Sequence, residues 1–199
     1  GEAVTTSLRV PESLGDATTV SAPSTLAALT GNAAHGRELA AKCYICHKID
    51  GQGVAFGPEL TGWGGERTIE AIIEEIVHPD ARLAHGYDRP VRLTSGDHVM
   101  EGLMTNYSWH AGSLKLKIMG GGTKKINFRS SGAEVQPLKE SLMPSASEMG
   151  LSDQDVRDIA EFLKSLGSRP VAVAAPAGNT KSPPDGTTAG WEILTSEDF

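Results

Sequence analysis

Both cysteines of this 199-residue chain fall in one pentapeptide, Cys43-Tyr44-Ile45-Cys46-His47, with a histidine directly after the second. Two thiols three residues apart on one helical turn can both bond one edge of a flat ligand, and a histidine just beyond can swing under it. The C-x-x-C-H run is the signature of covalent haem attachment, in which the thiols add to the two porphyrin vinyl groups and the imidazole holds the iron. Three other readings compete. A zinc site needs four thiolates, or thiolates with histidines at matching spacing, which His35, His78, His85, His98 and His110 do not supply. A thioredoxin-like pair follows a strand in a βαβ unit, whereas the residues before Cys43 favour helix. An ordinary disulfide is the third.

The flanking sequence is consistent with the haem reading. Asn32 is a candidate N-cap, no proline interrupts the run to Cys43, and Ala33, Ala34, Leu39, Ala40 and Ala41 predict a short helix that delivers the cysteines. After the motif, KIDGQGVAFGPELTGWG is glycine-rich, with Pro58 and no sustained period, and is suited to wrap a flat ligand. In RTIEAIIEEIVHP, Ile69, Ile72, Ile73, Ile76 and Val77 recur at helical spacing, with Pro79 just past the end. In LSDQDVRDIAEFLKSLGSRP, Ser152 is an N-cap, Asp153 and Asp155 sit in the first turn, and Val156, Ile159, Leu163 and Leu166 form the apolar stripe.

In this order, GREL, C-x-x-C-H, GQG, GPELTG, an amphipathic helix, a β-rich stretch, SLMP and LSDQDVRDIAEFLKSL, the chain resembles the haem-binding cytochrome c domain typical of planctomycetes and verrucomicrobia. The resemblance covers roughly residues 34–167. It implies a mainly α cytochrome c fold, three main helices around one haem, with a small antiparallel β insertion. It also implies one covalent haem c, with Cys43 and Cys46 forming the thioethers and His47 as proximal iron ligand. Pro58 then occupies the position whose carbonyl accepts a hydrogen bond from the proximal histidine; the bland alternative is a loop-stiffening proline.

Five methionines compete for the distal position: Met100, Met104, Met119, Met143 and Met149. Most methionines are core filler. Met143 in SLMP matches the family's distal-ligand position, whereas Met149, next to the Gly150-Leu151-Ser152 helix start, suits a hydrophobic staple. A histidine ligand or an open position are the alternatives, and an open position would make a haem enzyme or ligand sensor instead of an electron carrier. Trp63 and Trp109 are candidates for the haem edge, with Trp63 favoured; equally, Trp63 fits a core position and Trp109 a turn plug.

Residues 86–135 contain RPVRLT, HVMEGLMTNY, SLKLKIM and TKKINF, read as three or four antiparallel strands. This stretch holds seven basic against four acidic residues, +3, so with a chain total of −7 the remainder carries −10. The insertion is a candidate docking surface for an acidic redox partner, against the alternative of a basic sheet face that blocks edge pairing.

We therefore expect an N-terminal extended segment over 1–30, a cytochrome c domain over 31–168 interrupted by 86–135, and a Pro/Ala/Gly-rich linker or tail over 169–199. No transmembrane run and no basic density suited to nucleic acid is present in this sequence. The expected role is single-electron transfer, not catalysis, in the periplasm or another extracytoplasmic compartment. The partners would be redox proteins or a fused dehydrogenase domain, and the chain itself a module of a larger protein.

Overall fold

A computed structural model describes residues 19–167 and the two-residue strand Ile193–Leu194. In chain order the elements are α1 (Pro23–Ala27), α2 (Ala33–Leu39), a 3₁₀ segment (Ala40–Ile45), β1 (Lys48–Ile49), β2 (Gln52–Gly53), α3 (Ile69–Val77), β3 (Pro90–Ser95), β4 (His98–Ser108), β5 (Ser113–Ile118), β6 (Thr123–Asn127), α4 (Phe128–Ser131), β7 (Glu134–Pro137), α5 (Asp153–Leu166) and β8 (Ile193–Leu194). Residues 1–18 and most of the 169–199 tail lie outside the described residues. Within the stretch expected to be extended, Pro23–Ala27 is helical and Leu26 is fully buried.

Helix α5 forms where its pattern predicts. The Ser152 side chain accepts from the Asp155 amide, and the Asp155 side chain accepts from the Ser152 amide, so two orphan donors of the first turn are satisfied. Val156, Ile159, Leu163 and Leu166 are buried, and so is Phe162 at 1% exposure, a side chain whose burial contributes about 1.5–3 kcal/mol. Helix α3 is capped by Thr68 and buries Ile72, Ile73, Ile76 and Val77 against α5 and α1. Asn32 caps α2 by accepting from the amides of Ala34 and His35. Its axis can approach α5 because Gly36 carries no side chain: a Cβ there would stand 1.9 Å from the carbonyl oxygen of Asp158.

The mainly α expectation is not met. Helix makes up 30% and strand 24% of the described residues, so the architecture is mixed. The sheet order is β7-β3-β4-β5-β6-β8; the first five strands are antiparallel, and β8 adds to β6 in parallel. The physical reason is that the strands build a core of their own. Val91, Leu93, Leu114, Leu116 and Ile126 alternate onto one face and are almost fully buried, while α2, α3 and α5 run only 7, 9 and 14 residues. The molecule thus has a helical core and a sheet core, and the haem motif belongs to the first.

The register also distributes the lysines. Lys115 lies opposite Lys125, and Lys124 lies opposite Leu116, so Lys124 and Lys125 point to opposite faces of the sheet. Arg92, Lys115, Lys117 and Lys125 share one face of the sheet, that of Glu101 and Leu103, while Lys124 turns to the other.

Candidate functional site

The motif does not continue α2 as the helix its composition predicts. The α-helix ends at Leu39 and the chain tightens into the 3₁₀ segment, with Cys46 as its cap. In this winding, residues i and i+3 eclipse, so Cys43 and Cys46 fall on one side of the turn. The amides of Cys46 and His47 both bond the Cys43 carbonyl oxygen, at 3.1 and 2.8 Å. Both thiols are free. Burial pushes the Cys43 thiol up to about 11, with Cys46 adding to the shift, and burial raises Cys46 as well. They are neutral thiols near pH 7. No group of three or more metal-ligating side chains occurs among the described residues.

A short hairpin follows. Asp50 and Gly51 both take positive φ, 53° and 79°, the conformation of the two-residue turn that joins β1 to β2. The hairpin buries Ile49 completely and returns the chain beneath the motif, where the amides of Phe56 and Gly57 bond the Cys46 carbonyl oxygen at 3.0 and 2.6 Å.

His47 is 8% exposed, and its Nδ1 lies 2.8 Å from the carbonyl oxygen of Pro58. A carbonyl only accepts, so Nδ1 carries the proton and Nε2 keeps its lone pair. Burial lowers the imidazole's pKa, with the Pro58 hydrogen bond acting against it, so the ring is neutral at pH 7. A neutral imidazole fixed through Nδ1 is the form that binds a metal through Nε2.

Cys43, Cys46, His47, Pro58, Trp63 and Met143 all line one cavity of about 730 Å³. That volume falls in the range of cofactor sites, and Phe56, Leu60, Ile76, Leu103, Ile159 and Leu163 make much of its wall apolar. Two thiols, a buried neutral imidazole and a thioether around an apolar cleft fit a haem c.

Among the alternatives, Met149 also lines the cavity and packs on the helical core. Met100 and Met104 pack on the sheet core, and Met119 is exposed. Trp63 both lines the cavity and packs on the helical core, with the Arg67 guanidinium 4.2 Å from its ring centroid. Trp109 is 64% exposed beside Phe128 and Arg129 and is not part of the cavity wall.

The cavity also has residues that no pattern singled out. Arg67, Glu75, Arg82, His85 and Tyr87 line it, with Arg82 paired to Glu75 at 2.9 Å. The 80–89 segment that supplies three of them is irregular, so periodicity had nothing to register. The one usable signal was Arg67 standing four residues after Trp63.

Residues 33–109 match the family model described as Cytochrome c. The match supports a c-type cytochrome domain, with covalently bound haem c and its iron. Cytochrome c domains are generally electron carriers that work with redox partners, and they are typically extracytoplasmic. The matched stretch includes Cys43, Cys46, His47, Pro58 and Trp63 and ends before Met143. No curated protein matches the chain. Among the described residues no helix is long and apolar enough to cross a membrane.

Proposed function

We propose that this chain carries single electrons between redox partners through one haem c, bound by Cys43 and Cys46 and ligated axially by His47 and Met143. The observation that supports the reading is the convergence of these four residues, with Pro58, on one apolar cavity. When bound, the haem supplies a one-electron Fe(III)/Fe(II) couple whose potential follows its axial ligands and burial. The chain's own contribution is positional. The Pro58 carbonyl holds His47 in the Nδ1–H tautomer, the cysteines would fix one edge of the ring, and the apolar part of the wall would shield the bound group from water.

On this reading residues 31–168 form the haem-binding unit, 86–135 are an insertion in it, 169–199 are a linker or tail, and the chain is a module of a larger extracytoplasmic protein of the planctomycete and verrucomicrobial type. A fused dehydrogenase domain or a diffusing redox protein would supply the electrons. An acidic partner docking on the insertion would be sensitive to salt and to Lys125→Glu.

A second reading has one observation in its favour. His85 lines the same cavity, so His/His ligation competes with His/Met. Optical spectra of the haem-loaded protein, ferric and ferrous, with and without carbon monoxide, decide between them. His/Met ligation requires a ferric methionine-to-iron charge-transfer band that Met143→Ala abolishes, and no carbon monoxide binding by the wild type. A wild type without that band that still excludes carbon monoxide would favour His85. Ready carbon monoxide binding would mean an open iron and a different function.

A further inference from the structure

The loop that carries Met143 is tied to the end of one helix on both sides of the methionine. Beyond the last turn of α3 the chain runs through His78, Pro79 and Asp80, and Asp80 Oδ1 accepts from the Ser141 amide at 2.5 Å. On the far side of Met143, the Ala146 amide bonds the carbonyl oxygen of Ile76 in α3 at 3.0 Å. Between the two anchors, the Ser141 hydroxyl oxygen accepts the Met143 amide at 3.0 Å. Asp80 thus connects to the Met143 backbone through a single residue.

Asp80 itself is exposed and is not part of the cavity wall, but Pro79 before it is buried and lines the cavity. A proline with fixed φ, seated in the wall, sets where the next residue starts. A carboxylate just past a helix C-terminus meets the negative end of the helix dipole, a position that disfavours anions. The charge-assisted bond to the Ser141 amide offsets that cost and gives the carboxylate a structural use.

We infer that Asp80 is a positioning residue for Met143: by holding the Ser141 amide it fixes the Ser141 hydroxyl, which fixes the methionine backbone and presents the thioether to the cavity. The inference rests on Met143 being the axial ligand.

The test uses the haem-loaded protein as wild type, Met143→Ala, Asp80→Ala, Asp80→Asn and Ser141→Ala. Three quantities are read: the ferric methionine-to-iron band, carbon monoxide binding to the ferrous form, and the reduction potential. Asp80→Ala and Ser141→Ala are expected to lose the band, admit carbon monoxide and shift the potential downward, in the direction of Met143→Ala, because methionine ligation raises it. Asp80→Asn keeps an Oδ1 acceptor and is expected to keep the band. An Asp80→Ala protein with wild-type band, potential and carbon monoxide exclusion overturns the inference. If Met143→Ala itself retains the band, the axial assignment fails and the role of Asp80 with it. If Met143→Ala loses the band while Asp80→Ala does not, only the role of Asp80 fails. Should Asp80→Ala not load haem, Ser141→Ala decides: an unchanged band there is equally fatal.

Discussion

A Cβ on Gly57 would stand 2.5 Å from Cε1 of His47 and 2.8 Å from its Nδ1, closer than carbon atoms approach. The absence of a side chain at Gly57 therefore sets the plane of the imidazole and lets Nδ1 reach the Pro58 carbonyl.

Gly57→Ala is expected to push the ring aside and break that hydrogen bond. Loss of such an outer partner costs about 10–100-fold in metal affinity. The measurement is covalent haem per mole of purified protein; a variant that loads haem like the wild type, with an unchanged potential, contradicts the account.

Pro58→Ala should behave differently, because the acceptor is a backbone oxygen that alanine retains. The expected loss is limited to chain stiffness, about 0.4–1 kcal/mol, with the optical spectrum unchanged. Denaturant titration followed by both circular dichroism and haem absorbance would separate the two effects.

At the crossing of α2 and α5, Gly36→Ala would force a methyl group into the Asp158 carbonyl oxygen, which is backbone and cannot swing away. We expect destabilisation of about 1–3 kcal/mol or more, seen as a lower guanidinium midpoint with the m-value preserved. An unchanged midpoint would mean that the helices are not packed this closely.

His35 and Asp158 give the fold a pH dependence. The His35 Nδ1 lies 2.7 Å from Asp158 Oδ2, and that hydrogen bond, helped by the charges of Asp158, Asp155 and Glu38, raises the imidazole above its ordinary 6.5. Burial pushes the Asp158 carboxyl up, but bonds from His35, the Asn32 amide and Gln154 outweigh it and hold the carboxyl below its ordinary 3.8. Both contributions are fully present between those two ordinary values. His35's is lost as pH rises through its raised folded value, and Asp158's as pH falls through its lowered one. Thermal unfolding across pH should show stability falling above pH 6.5 in the wild type, a limb that His35→Gln lacks. A wild-type profile flat above that pH would sink the proposal.

Helices α3 and α5 were legible because their apolar residues keep a 3.6-residue period and their caps are local, with Ser152 and Asp155 only three apart. What escaped was set by distant parts of the chain. Arg157 and Asp158 are buried on α5, where pattern alone favours exposure, because the Leu29 carbonyl and the Asn32 amide come back to meet them. The β1–β2 hairpin was hidden in a glycine-rich run, although Asp50-Gly51 is a turn pair. Strand β7 has only one half-buried side chain, Val135, and so no alternation to read. The site divides the same way. Cys43, Cys46 and His47 were legible as a contiguous motif, whereas His85, Tyr87 and Leu103 reach the cavity through an irregular segment and a strand of the sheet.

Leu103 gives the sheet a say in what meets the cofactor cleft. It is 5% exposed on β4 and belongs to the cavity wall, while its neighbour Met104 turns to the opposite face and packs on the sheet core. Side chains alternate with a period of two, so a one-residue slip of β4 would exchange them and bring a third thioether to a cleft that already has Met143 and Met149. The irregularity between Met104 and Asn106 in the β4–β5 pairing breaks the symmetry that such a slip requires. Strand alignment in this protein is therefore also sulfur selection: it keeps an inert hydrocarbon where a competing donor would otherwise stand.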